Sequence, residues 1–375
     1  MATTTRVNYY IREVVIFLLI SIILGCCPRQ MIKYDEHNPP GIFLPLAGQN
    51  AIDGRVMFRK ILCSVTEERK GWYIDERPCA EVLHNLDEPK SAASKPLIPA
   101  VDSKMIKVVL VTGIFGECIA DYLLPFSDGR YFDGYHAEIS GYDYMKRLGY
   151  EVEVIVTRGR ASSEANGMLI RKRLQEISNA TTRNIIVVSY SKGTTDVLHA
   201  MTLFRDDVPQ NIRALVSVAG VVAGTPIADE YTELYESLLK EVPWSACPPT
   251  DGGAVRSLSR NEQFSWISQH QHQLPKSLKY YSLAAFVPLE RINDVLKPFN
   301  KLLSIVDPRN DGQVLIQDAI IPGSTILGYV NADHWAIAYG FRRSDNPAWR
   351  LAVNHNSFPR EVLIESVVRY VAGDI

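Results

Sequence analysis

From residue 105 onward, apolar strand-like runs alternate with helical patterns, and this alternation constrains the fold more than any other feature. The runs are "MIKVVLVT" (105–112), "YEVEVIVT" (150–157), "NIIVVSY" (184–190), "RALVSVAG" (213–220), "LKYYSLAAF" (278–286) and "STILGYV" (324–330). Helical spacing fills several intervals, notably 164–178, 193–205 and 360–372. Strands that are apolar nearly throughout are buried on both faces. Helices between them predict a mostly parallel sheet covered on both sides, an α/β fold. The interval 221–277 is too long for an ordinary connection. It contains "ADEYTELYESLLKE", whose Ala228, Tyr231, Leu234, Tyr235, Leu238 and Leu239 make one apolar stripe at helical spacing, and it is expected to form a cap or lid.

Residues 26–104 have a different texture. Prolines recur, apolar runs are short, and "DEPKSAASKPLIPAVDSK" (87–104) reads as a linker or a long surface loop. This region is expected to pack on the 105–375 domain as an N-terminal extension. Ahead of it, Arg6 and Arg12 precede "VVIFLLISIIL", an apolar run of eleven residues that is short for a bilayer span. Residues 1–25 are therefore expected to be a signal peptide. Gly25-Cys26 after such a run resembles the lipobox of bacterial lipoproteins, which implies lipidation of Cys26 and a chain anchored in the cell envelope. Leu24 and Glu13 depart from that pattern, so an ordinary cleaved signal and an uncleaved anchor stay open. In an exported chain Cys63 and Cys79 are candidates for a disulfide.

Net charge and motif content exclude several classes. At −2 the chain carries no basic footprint for nucleic acid. No CxxC or HExxH occurs among its 6 cysteines and 8 histidines, so no metal site is expected. "GIFGEC" is neither GxGxxG nor a P-loop, which argues against a nucleotide.

Between the strand 184–190 and the helix that starts near 193 the chain turns on Ser191. Such a turn lifts a side chain above the sheet and leaves backbone N–H groups of the helix start available to an oxyanion. It requires small residues on either side, here Ser189 and Gly193. The bland alternative is that Ser191 simply caps the helix. A reactive serine needs a base and an acid. His199 is eight residues along the same helix, roughly 12 Å away, and cannot reach. His270 and His272 lie in polar sequence, His355 stays open, and His334 in "GYVNADHWAIA" follows the last strand, where a base belongs. "VDPRNDGQV" supplies Asp307 and Asp311 as acids; it also partly matches a calcium loop, but Arg309 stands at a liganding position.

Four segments together resemble α/β-hydrolases, and bacterial lipases and esterases in particular. "SYSKG" is similar to the G-x-S-x-G nucleophile elbow, with Ser189 in place of the first glycine. "TGIFGE" resembles the H-G-x-x-G loop, with Thr112 in place of histidine. "NDGxV" resembles the acid loop, and "AGVVAGTPIAD" (219–229) resembles a further lipase segment. The resemblance implies a Ser191–Asp311–His334 triad, an oxyanion hole from the backbone N–H groups of Ile114 and Lys192, and no cofactor. The substrate would be a small-molecule or lipid ester. Asp307 remains the reserve acid. An acyltransferase, polyester depolymerase or amidase using the same triad is an alternative, as is a surface protein that keeps the fold only to bind.

Overall fold

The protein's structure, a computed structural model, describes residues 31, 50–73, 75–86, 88, 101–114, 141–235, 248–340 and 354–375. The leader 1–25, Cys26, most of the 87–104 stretch, and residues 236–247 with Leu238 and Leu239 lie outside them. Among the described residues an eight-stranded sheet runs through the molecule. Six of its strands are those the apolar runs predict: β3 (Ile106–Val111), β4 (Glu151–Ile155), β5 (Asn184–Tyr190), β6 (Ile212–Val218), β7 (Lys279–Ala285) and β8 (Thr325–Val330). They pair in parallel in the order β8-β7-β6-β5-β3-β4.

The period-2 alternation of each strand feeds two cores. Val108, Leu110, Ile186, Val188, Ala214, Val216 and Leu283 point to one face, where α1 (Arg55–Glu68) and α9 (Arg360–Asp374) cover them with Phe58, Ile61, Leu62, Val362, Leu363 and Val367. Val109, Val111, Ile185, Val187 and Leu215 point to the other face. There α4 (Ser163–Asn179) and α5 (Lys192–Phe204) contribute Ile170, Leu174, Ile177, Val197, Leu198, Met201 and Phe204. Burial of both faces explains why the strands read as unbroken apolar runs.

Two further strands come from the N-terminal region. β1 (Ile52–Asp53) runs parallel to the first half of β8, and β2 (Leu83–His84) runs antiparallel to its second half. Between them, α2 (Cys79–Val82) is tied to α1 by a Cys63–Cys79 disulfide. Arg69 and Arg369 both pair with the buried Glu365 of α9, and Arg360 pairs with Asp75.

Within 221–277 the described part forms α6 (Pro226–Leu234) and α7 (Arg260–His270). Thr225 caps α6 by accepting from the Ile227 N–H. Ala228 and Tyr235 are buried, Ile227 and Tyr231 pack against Val287, Ile292, Leu296 and Phe299, and Tyr231 meets Phe299 edge-on at 6.2 Å. The described part of the stripe, Ala228 to Tyr235, packs on the body of the protein.

α7 also lays Trp266 flat on His199 of α5, 3.7 Å between centroids, and His270 stacks on the same indole at 4.9 Å. Burial pushes the His199 pKa down to about 4. Its folded-state value then lies below the unfolded one of 6.5, so the unfolded chain takes up the proton first and stability drains away between about pH 6.5 and 4. His199→Phe keeps a ring against Trp266 and removes the titration. The melting temperature of the variant relative to wild type should therefore rise as pH falls from 7 to 4.5. Parallel curves at both pH values would show that His199 contributes no acid lability.

Candidate active site

β5 ends in Tyr190, the chain turns at Ser191, and α5 begins at Lys192. Ser191 holds φ 54° and ψ −131°, a left-handed conformation that a non-glycine residue adopts at a cost of about 1–3 kcal/mol. The surroundings impose it. A Cβ on Gly193 would stand 2.3 Å from the Thr112 carbonyl oxygen, so only glycine lets α5 start so close to the end of β3. Ser189, in the place of the usual glycine, is accommodated because its hydroxyl is engaged by Thr194 Oγ1 at 2.9 Å and the Val216 carbonyl at 3.1 Å.

The loop that follows β8 carries His334, and the loop before Val314 carries Asp311. His334 Nε2 lies 2.9 Å from Ser191 Oγ, and Nδ1 lies 2.7 Å from Asp311 Oδ2. The other carboxylate oxygen of Asp311 accepts from the Gln313 and Val314 N–H groups, both at 2.8 Å. The His334 N–H donates to the Asp311 carbonyl at 2.9 Å. With an ionised Asp311 the chemistry requires a proton on Nδ1, which leaves Nε2 as an acceptor facing the serine hydroxyl. All three side chains are buried.

The structure thus brings Ser191, Asp311 and His334 together. It keeps Asp307 apart: that carboxylate holds Arg309 through Nε at 3.0 Å and Nη2 at 2.7 Å, both side chains buried. Asp318, seven residues beyond Asp311, pairs with Arg260, and burial pushes its pKa up to about 7. His355 is exposed. Gly113 and Ile114 follow β3; a Cβ on Gly113 would lie 3.0 Å from the Ser191 Cβ, which puts Gly113, one residue before Ile114, against the serine. Lys192 opens α5, where a first-turn N–H has no partner inside the helix. Its side chain turns away from the serine into the core, 2.5 Å from Asp196, which also accepts from Ser163 Oγ and Asn166 Nδ2.

Sequence reasoning missed the residues that hold the histidine loop. Asp333 accepts from the Trp335 and Ala336 N–H groups with one oxygen and from Asn293 N and Nδ2 with the other. Its burial pushes the pKa up to about 6 against those four donors. An Asp whose side chain accepts from the N–H groups two and three residues on makes an Asx turn, and "DHWA" carried that signature.

No family model matches the chain. Among solved structures it is similar to the metagenomic carboxyl esterase MGS0156. The two share 32% sequence identity and a TM-score of 0.78 over 90% of this chain and 97% of that one. A Bacillus licheniformis lipase, BlEst2 in its mature form, is 22% identical with a TM-score of 0.47, over 64% of this chain and 89% of that one. The first likeness, together with the parallel sheet and its elbow, defines the class: this is an α/β-hydrolase. Within that class the chain belongs to the family of the carboxyl esterase it resembles.

Proposed function

We propose that this carboxylic ester hydrolase works through Ser191 as nucleophile, His334 as general base and then general acid, and Asp311 as the group that orients the imidazole. What supports the reading is the unbroken line of two hydrogen bonds from Ser191 Oγ through His334 to Asp311 Oδ2. Ser191 Oγ attacks the ester carbonyl carbon while His334 Nε2 takes the hydroxyl proton. The negative charge that develops on the carbonyl oxygen is met by the backbone N–H groups of Ile114 and Lys192. Collapse of the tetrahedral species expels the alcohol, which takes the proton from His334, and leaves an acyl group on Ser191. Water, deprotonated by the same imidazole, then releases the carboxylic acid.

The test is a serine-directed fluorophosphonate. One equivalent should attach to the peptide bearing Ser191 and abolish turnover of p-nitrophenyl acetate in step with labelling. Full turnover in a protein that takes up no label would overturn the mechanism. A panel of esters from acetate to palmitate, with and without added alcohols, separates hydrolysis from acyl transfer and reads chain-length preference.

We further propose that the protein is exported and anchored by a lipid on Cys26, in keeping with the eleven-residue apolar run that ends at Leu24, directly before Gly25-Cys26. Among the described residues no helix is long and apolar enough to cross a membrane. Cys26→Ser, expressed in a bacterial host, should move the protein from the membrane fraction to the soluble fraction. Retention in the membrane by the variant would favour an uncleaved anchor.

A further inference from the structure

The last residue of β5, directly before the nucleophile, has no role in the reaction scheme above, yet its side chain touches two of the loops that build the site. Tyr190 is buried, and its hydroxyl donates to the His334 carbonyl oxygen at 2.6 Å. Its ring lies 5.0 Å from the imidazole, tilted by 36°, and meets Tyr339 edge-on at 5.2 Å. On the side of the oxyanion loop, a Cβ on Gly113 would come within 3.3 Å of Tyr190 Cδ1, so that loop sits directly on the tyrosine ring.

We infer that Tyr190 is a positioning residue for His334, coupling the base to the nucleophile because it is covalently next to Ser191 and hydrogen-bonded to the backbone of His334. The inference rests on the triad proposed above. The His334 backbone is then held at both ends: its N–H by the Asp311 carbonyl, its carbonyl by the Tyr190 hydroxyl. A displacement of β5 that carries Ser191 carries the histidine loop with it, and the 2.9 Å distance from Oγ to Nε2 is preserved. Displacements of an ångström in such a pair are costly in rate. Burial also pushes the tyrosine pKa well above its ordinary value, so the hydroxyl remains a donor throughout the working pH range.

Tyr190→Phe keeps the ring and removes only the donor. It should lower kcat on p-nitrophenyl butyrate about tenfold, the size of one neutral hydrogen bond expressed in the transition state, with KM within about twofold of wild type. Tyr281→Phe is the comparison. It removes a similar bond, Tyr281 to Asp374 Oδ2 at 2.6 Å, between β7 and the C-terminal helix. That variant should lose melting temperature to a similar degree and keep its kcat. A p-aminophenylalanine at position 190 restores a donor to the carbonyl and should recover kcat to within about threefold of wild type. It carries the test alone if Tyr190→Phe fails to fold. The inference is overturned if Tyr190→Phe retains full kcat. It is equally overturned if the two phenylalanine variants lose rate in proportion to stability, or if the amino variant is as slow as Tyr190→Phe. Full activity in Tyr190→Phe alongside an inactive Ser191→Ala would sink this inference and leave the triad standing; full activity in both would sink the triad.

Discussion

Ser191→Ala is expected to lower kcat on p-nitrophenyl esters by a factor of about 10⁴ to 10⁶, the range seen when a triad nucleophile is removed. The fold should be untouched. Among the described residues the serine hydroxyl hydrogen-bonds only to His334, and alanine meets the same backbone cost at φ 54° that serine already meets. Circular dichroism melts of the two proteins should agree within a few degrees. Ser189→Ala is the companion variant. Its hydroxyl is locked between Thr194 and the Val216 carbonyl inside the sheet, so its loss should cost stability and spare turnover. Substantial activity in Ser191→Ala with an inactive Ser189→Ala would move the nucleophile by two residues.

Asp311→Asn should cost about 10⁴ in kcat, and the reason is specific to this site. Asp311 Oδ1 accepts from two backbone N–H groups, Gln313 and Val314, so an asparagine must turn its amide oxygen toward them. Its NH₂ group then faces His334 Nδ1 and donates to it. The imidazole proton is driven to Nε2, where it points at Ser191 and cannot be exchanged for the hydroxyl proton. Asp307→Asn should behave in the opposite way. It removes the carboxylate from the buried Arg309 and should destabilise the fold by about 3 kcal/mol while the folded fraction keeps its kcat. A harmless Asp311→Asn beside an inactive Asp307→Asn would reverse the assignment of the acid.

The sequence made most of the sheet legible because burial on both faces leaves a dense apolar signature. The run "NIIVVSY" coincides with β5 residue for residue, and "STILGYV" differs from β8 by one. The serine was legible for a steric reason: a strand that stops on Tyr190 and a helix that starts two residues later leave room for one sharp turn. β1 and β2 were invisible. Each is two residues long, and each owes its existence to β8, some 250 to 270 residues away, rather than to local propensity. The choice of Asp311 over Asp307 came from family resemblance, since both are acids in one polar loop; what separates them in space is Arg309, which takes one carboxylate and leaves the other to the histidine. Tyr190 carried no signal, because an aromatic residue at the end of a buried strand looks like core.

The pairing of β1 and β2 with the last strand has a consequence for how the chain comes to be folded. Ile52 aligns with Thr325, Leu83 with Val330, and Arg69 reaches Glu365, so the N-terminal region has nothing to fold against until residues 325–365 exist. A nascent chain emerging from the ribosome cannot close this sheet vectorially; residues 52–84 must wait for its last fifty. Contacts of such sequence separation slow folding. Slow closure leaves a window in which the chain is still unfolded and able to be threaded, in that form, through a translocation pore, as the export proposed above would require.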